Sequence, residues 1–533
     1  MRPLPILPVT SSDPIAQWSS FHHRIADRPI AAYLAPGAMG LPPGAAGAAA
    51  LTRDLNAILA YCMADPPERL CTIGARWSLS NILDPGNVIL DPGVWNQIVA
   101  VDAAWLTQEY KSDAAPRGGV PVVVQGGTNI RTLNDFLGTY SLALQASGAS
   151  DGHRIAGCIA TGTHGSHLKV GAVHDTVLGI YLVTGPNEAI FLQPSRRRFT
   201  SDLAQWFQDG TTLATRDVAD DDMFNAAKVA LGALGFVHSV IVEAVPLYQL
   251  AGETFARPLL DEDVWYVIET LDTSRLDPRP SPDFFTVVFS PFAPDGSDGC
   301  YATLLWKQPP SQPYTGPAPV QSAASTDLTR LLSALIPVVD DGIPPGLIGD
   351  VVASQTAQQY KAGPVAPEFP GTYFGPTSLP EGDGRSSEVV VDHANARAAV
   401  KTIINTLQAE GNARRHLLGG IGVRFVPATE ALLGMNLHAM NTYIEFPSLD
   451  SADTTAIHKA VWDALRKANI PFTCHWGQEY GMDAQSIGAY FGDRVERWKT
   501  ARERLLPTPQ ARAVFSNPLI VQLGLDSSAM TRA

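Results

Sequence analysis

Two histidines, His164 and His167, stand three positions apart in the run AGCIATGTHGSH at 156–167. A pair at that spacing on one helical face could share a metal, but the run is rich in small residues and no HExxH or carboxylate partner stands nearby. What bare backbone offers is N–H groups and close approach, the means by which glycine turns and helix N-termini hold phosphate. Two other stretches share this character, GARWS at 74–78 and GGT at 126–128. None of the three fits the Walker spacing or GxGxxG, and no GxSxG elbow occurs. Any one of them reads as an ordinary turn; together they suggest a ligand the size of a dinucleotide.

The elements that must position these loops alternate along the first half of the chain. LTRDLNAILAYCM from Leu51 reads as an amphipathic helix, and LCTIGARWSLSN as a strand running into the first loop. NVILD is a further short strand, and VPVVVQGG is an apolar strand ending in glycines. TNIRTLNDFLGTYSLAL opens on a Thr or Asn cap with Leu133, Phe136, Leu137 and Tyr140 on one face. TVLGIYLVTGPNEAIFL reads as two strands joined by GPNE, and DMFNAAKVALGALGFVHSVIVEAVPL as a helix that ends at glycine and feeds a strand. From about 273 to 390 proline and glycine dominate, which predicts long loops. Regular signals resume with ARAAVKTIINTLQAEG, LLGGIGVRFVPA, NTYIEFPS and DTTAIHKAVWDALRKA.

The whole chain has 533 residues, 45% of them hydrophobic and 17% charged, enough for a large core in more than one domain. A net charge of −14 repels phosphate backbones and anionic lipid, so nucleic acid is not an expected partner. The one basic run, SRRR at 195–198, reads as a solvated turn. Five scattered cysteines without a CxxC pair suggest neither disulfides nor structural zinc, no apolar run is long enough for a membrane span, and the expected location is the cytoplasm.

The order TIGARWSLSNI, VVVQGGTNIRTLNDFL, RIAGCIATGTHGSH, DTVLGIYLVT and LGALGFVHSVIVEAVP resembles the FAD-binding domain of the vanillyl-alcohol oxidase superfamily. HWGQEY at 475–480 and RERLLPTPQARAVFSNPLIVQLG at 502–524 are similar to the endings of its sugar-lactone and alditol oxidase branch. The resemblance implies an α+β fold: an FAD-binding domain of two subdomains over 1–248, an inserted substrate (cap) domain on a mixed or antiparallel sheet over 249–500, and a C-terminal segment, 501–533, returning to the cofactor. It implies FAD held by Gly74, Ala75, Arg76, Trp77, Ser78, Gly126, Thr128, Gly157, Thr161, Gly162, His164, Gly165, Val237 and Asn517. It also implies oxidation of a hydroxyl-bearing carbon by hydride transfer to flavin N5, with reoxidation by dioxygen to hydrogen peroxide. The alternatives are a dehydrogenase with another acceptor and a flavin-binding protein without turnover. The substrate is expected among alcohols, polyols, lactones or larger apolar alcohols.

Three departures from the family pattern bear on the chemistry. Trp77 stands where many members carry the histidine that binds flavin covalently, and an indole N–H is only a donor, so non-covalent FAD is expected. Gln478 replaces the HWGK lysine, and Gly422 replaces the glutamate of a Glu-x-Arg strand that retains Arg424. Arg424 can supply charge but a guanidinium is no base. His475 is the first candidate for the base, because imidazole titrates near working pH, and Glu445 is the second. No metal is expected.

Overall fold

Val122, Val123 and Val124 are almost entirely buried in their apolar run because a strand pairs along each side of it. The computed structural model describes residues 17–526 apart from 31, 38–44, 85, 87, 149, 318–320, 323–344, 375–376, 379–383 and 451. The N-terminal MRPLPILPVTSSDP and the centre of the proline-rich middle therefore lie outside the described residues.

Three short strands, β1 (Ala32–Leu34), β2 (Leu70–Thr72) and β3 (Val88–Leu90), form a parallel sheet in the order β1-β3-β2. Helix α1 (Ala45–Met63) begins earlier than Leu51, since the alanines before it are strong helix formers, and buries Leu51, Leu55, Ile58, Leu59 and Cys62 at spacings of three and four. The second sheet holds β4 (Ile98–Ala100), β5 (Val120–Gln125), β6 (Leu142–Leu144), β7 (Val177–Gly185), β8 (Glu188–Gln193), β9 (Ala214–Ala219) and β10 (Phe236–Pro246). Its order is β9-β8-β7-β10-β5-β4, with β6 also on β10. Helix α2 (Ile130–Thr139) starts at Asn129, whose side chain accepts from the Arg131 N–H.

Helix α3 (Ile155–Thr161) is the centre of AGCIATGTHGSH and stops at Gly162, which takes the left-handed conformation of a C-cap at φ 75°. Helix α4 (Asp221–Lys228) is capped by Asp220 and ends before any glycine. The chain breaks through left-handed Leu231 (φ 51°) and Gly232 (φ 69°) before β10, so the glycine turns the chain rather than capping the helix.

The third sheet has eight strands: β11 (Gln249–Pro258), β12 (Phe284–Phe289), β13 (Asp298–Gln308), β14 (Gly363–Glu368), β15 (Gly384–Asp392), β16 (Ile421–Pro427), β17 (Met440–Leu449) and β18 (Thr473–Cys474). They run antiparallel throughout, in the order β14-β11-β13-β12-β16-β17-β15-β18. Residues 273–390, expected to be mostly loop, supply four of these strands and helix Pro345–Gln359. Prolines flank β12, β13 and β15, while β14 carries Pro364 and Pro367 within it and stands at the sheet edge, where a missing N–H costs the ladder little.

The chain then returns to the first region. Helix α5 (Arg494–Leu505) packs on α4, and Arg502, with 1% of its side chain exposed, donates to the Ala233 and Arg512 carbonyls and pairs with Asp526 at 3.0 Å. Asn517 donates to the Leu231 carbonyl and caps Pro518–Gln522. The five cysteines form no disulfide with one another, and no described helix is long and apolar enough to cross a membrane.

Candidate active site

Gly74–Ser78, one face of α3 (Ala156, Gly157, Ala160 and Thr161), Gly126, Gly232, Gly235, Val237 and Asn517 line one cleft between the three-stranded and seven-stranded sheets. Ten of the fourteen residues assigned to FAD lie on its wall: Gly74, Ala75, Arg76, Trp77, Ser78, Gly126, Gly157, Thr161, Val237 and Asn517. A Cβ at Gly157 would meet nothing within 4 Å, and one at Gly74 would meet only the Gly157 Cα at 3.9 Å, so these two glycines leave open space for a ligand. Gly126 differs, since a Cβ there would come within 2.3 Å of the Val237 carbonyl; close strand packing alone demands it.

The other four do not line this cleft. Thr128 is fully buried, and its hydroxyl finds no partner among the described residues. Gly162 is the helix cap already described, and a Cβ at Gly165 would stand 2.3 Å from the Ser147 carbonyl, so packing accounts for it. His164 faces the third sheet instead of the cleft. Sequence reasoning also missed His153, which lines the cleft with its ring 4.5 Å from that of Trp77; burial lowers its pKa, and Nδ1 has no partner.

On the third sheet, register places Glu388 opposite Glu445, and Glu445 opposite Gly422, across β15, β17 and β16. Carboxylates directly opposite one another repel. Arg424, two residues beyond Gly422 on the same strand face, resolves this. Its Nη2 lies 3.5 Å from where a Cβ at 422 would stand, so the guanidinium folds over the space the glycine leaves. From there it reaches Glu388 at 3.0 Å and Glu445 at 2.7 Å. Ser386 Oγ and Gln478 Nε2 both donate to the other Glu445 oxygen at 3.0 Å.

Glu388 is 2% exposed, and its second oxygen faces His164 Nε2 at 3.0 Å. Burial opposes its ionisation, but the charge and hydrogen bond of His164, then Arg424 and His475, outweigh it and hold the carboxyl at about 2. His164 Nδ1 donates to the Gly165 carbonyl at 2.9 Å, so both ring nitrogens face oxygen atoms. The ring lies on Tyr443, centroids 3.8 Å apart. His167 does not join it: its Nδ1 accepts from the Lys169 and Val170 N–H groups, and burial pushes its pKa down to about 3.

The HWGQ turn ties sheet to cleft. The His475 N–H donates to the Glu388 carbonyl, Leu79 N–H to the Gly477 carbonyl, and Ser80 Oγ to the Trp476 carbonyl at 2.7 Å. Burial, against the pull of Glu388, lowers the His475 pKa to about 4, so the ring is neutral near pH 7. Its Nδ1 accepts the Gly477 N–H at 3.0 Å, which leaves the proton on Nε2 and makes that nitrogen a donor. His475 is therefore poorly suited to the role of base given to it from sequence. His164, Glu388 and His475 bring three potential metal ligands within 4.8 Å of one another. Both Glu388 oxygens are already engaged, one by His164 Nε2 and the other by Arg424 Nη1, so the cluster reads as a hydrogen-bonded network. Tyr360 also stands near: burial raises its pKa, Arg424 opposes and Glu445 adds to the rise.

No family model matches the chain. It is 31% identical over 184 residues to a putative D-arabinono-1,4-lactone oxidase of Neurospora crassa, covering 34% of this chain and 26% of that protein. It is 26% identical over 183 residues to an L-gulono-1,4-lactone dehydrogenase of Mycobacterium tuberculosis, covering 34% of this chain and 33% of the relative. It is 25% identical over 206 residues to the L-gulonolactone oxidase of Mus musculus, covering 39% and 37%. The alignments thus span no more than about two fifths of these curated relatives. A crystal structure of cholesterol oxidase from B. sterolicum superposes with a TM-score of 0.64 at 12% identity, covering 97% of this chain and 99% of that one. A solvent-stable cholesterol oxidase gives 0.63 at 12%, covering 96% and 97%. The chain has the fold of these oxidases along nearly its whole length, and its sequence is similar to sugar-lactone oxidases and dehydrogenases over about a third of it.

Proposed function

We propose that the chain is an FAD-dependent oxidoreductase that oxidises a hydroxyl-bearing carbon, with dioxygen as the final acceptor and hydrogen peroxide as product. The observation that carries this is the joining of a glycine-lined cleft to a row of paired charges through the HWGQ turn. Bound FAD supplies the hydride acceptor; the remaining tasks fall to this chain. Gly74 and Gly157 leave room for the cofactor against bare backbone, and the His153 and Gln478 atoms buried without partners are polar groups a ligand can satisfy.

Glu445 is the proton acceptor in this reading. Its side chain is 20% exposed, so a substrate hydroxyl can reach it, while Ser386, Gln478 and Arg424 fix its orientation. Arg424, 21% exposed, supplies fixed positive charge, and Glu388 with His164 holds it in place. His475 contributes an N–H donor. A polar row of this kind, together with the names of the sequence relatives, supports a hydroxylated substrate of the sugar-lactone or alcohol type. Trp77 on the cleft wall supports non-covalent FAD.

Anaerobic mixing with polyols, sugar lactones, sterols and aromatic alcohols tests the function by loss of the yellow flavin absorbance, followed by peroxide on admitting air. A flavin that light bleaches and none of these substrates reduces would overturn it. Acid precipitation should release the colour to the supernatant. Colour retained on the chain would contradict non-covalent binding and direct attention to His153.

A further inference from the structure

A second cavity, of about 1030 Å³, opens away from the glycine-lined cleft. Its wall is α4, the turn Pro194–Arg197, the start of β7, residues 428 and 430, and α5 with Arg494 at its start. Lys228, the last residue of α4, is only 6% exposed there. Its side chain makes no hydrogen bond and no ion pair among the described residues, and its ammonium lies 4.9 Å from the centre of the Phe224 ring. Burial lowers its pKa, Asp175 and Glu430 oppose the fall, and Arg197 adds to it. A helix C-terminus favours a cation, but by far less than full burial costs one.

The acids of this wall are nearly all committed elsewhere. Asp221 pairs with Arg196, Asp222 with Arg497 and Asp220 with Arg504. Glu243 holds Arg117 and Tyr110, and Asp175 accepts from Thr429 and the Ala172 N–H. Three cations are not so matched. Among the described residues the side chain of Arg197, the middle of SRRR, has no hydrogen bond or ion pair, and Arg494 donates only through Nη1, to the Thr429 and Ala431 carbonyls. Lys228 is the third. Guanidinium forks and a point ammonium are the donor set that recognises a phosphoryl group.

We propose that this cavity is a second ligand site, for a small phosphorylated molecule whose phosphate is held by Lys228, Arg197 and Arg494. The site is independent of the oxidoreductase reading, and its test reads binding, not turnover. Protein saturated with FAD, so that the glycine-lined cleft cannot take the anion, is titrated with inorganic pyrophosphate by calorimetry and thermal melting. Wild type should bind and melt higher; Arg197→Ala, at an exposed position, should bind at least about tenfold more weakly. Lys228→Met keeps the length of the side chain and removes the charge. It should melt higher than wild type without ligand and lose the pyrophosphate shift. Absence of any shift at millimolar pyrophosphate, or undiminished binding by Arg197→Ala and Lys228→Met, overturns the site. Citrate binding as tightly as pyrophosphate, with the same losses, overturns its assignment to phosphate.

Discussion

Arg424 is the residue on which the candidate active site turns, because it alone separates two carboxylates that the sheet register sets side by side. Arg424→Met should slow anaerobic flavin reduction by about 10²–10³-fold, the usual loss when one preorganised charge donor is removed, with FAD still bound. Rapid mixing gives the rate and the absorbance of purified protein gives the cofactor content. Reduction at the wild-type rate would remove Arg424 from the mechanism. Stability should also fall, by about 3 kcal/mol, since Glu388 keeps its buried charge without its nearer guanidinium. Arg424→Lys, which restores charge but not the two-pronged reach, separates the effects: it should regain most of the stability and little of the rate.

At the scale of elements, the missing glutamate at 422 is a matter of which strand carries it. Gly422 and Glu445 are directly opposed, and side chains on opposed positions reach the same space. Glu445→Gln should therefore lower the reduction rate by about 10²–10⁴-fold, as loss of a general base does, and adding Gly422→Glu should restore part of it. No recovery in the double variant, with folding intact, would sink this account of the site. The glycines divide by the same reasoning. Gly157→Ala adds a methyl group to open cleft in a helix, so the apo-protein should gain about 0.5–1 kcal/mol while FAD binds at least tenfold more weakly in fluorescence titration. Gly126→Ala should instead destabilise by about 1–3 kcal/mol, because the neighbour is backbone. Equal FAD affinity for Gly157→Ala and wild type would refute the placement. The sequence displayed the loops and strands of the first region, whose motifs are local. It hid Glu388 in SSEVVVD, because the residue matters through pairing with Glu445, some 57 positions on in a register no local pattern encodes. It also hid the difference between a glycine facing a ligand and one facing a carbonyl, since both look alike until the neighbour is placed.

For the molecule as a whole, buried histidines set the response to acid. His167, His238 and His475 are held neutral chiefly by burial, with pKa values lowered from 6.5 to about 3, about 4 and about 4. In the unfolded chain each takes up a proton as pH falls through about 6.5, while the folded protein resists until about 4. The stability they confer is therefore fully present above about pH 6.5 and is lost as pH falls towards 4. These three protons alone bring the slope towards about 4 kcal/mol per pH unit near pH 5, and His153, His174 and His393, whose pKa values burial also lowers, add to it. Repulsion works the other way: a net charge of −14 shrinks on acidification, which eases the folded state. Ionised Glu388 adds its own loss only below about pH 4.5. A steep decline between pH 6.5 and 5 thus belongs to the histidines. Urea unfolding at half-unit pH steps should show it, and His167→Gln, which offers an amide oxygen to the Lys169 and Val170 N–H groups without a titrating ring, should reduce the slope by about 1.4 kcal/mol per unit. A stability that stays level from pH 7 to 5 would mean that these rings take up protons inside the folded protein.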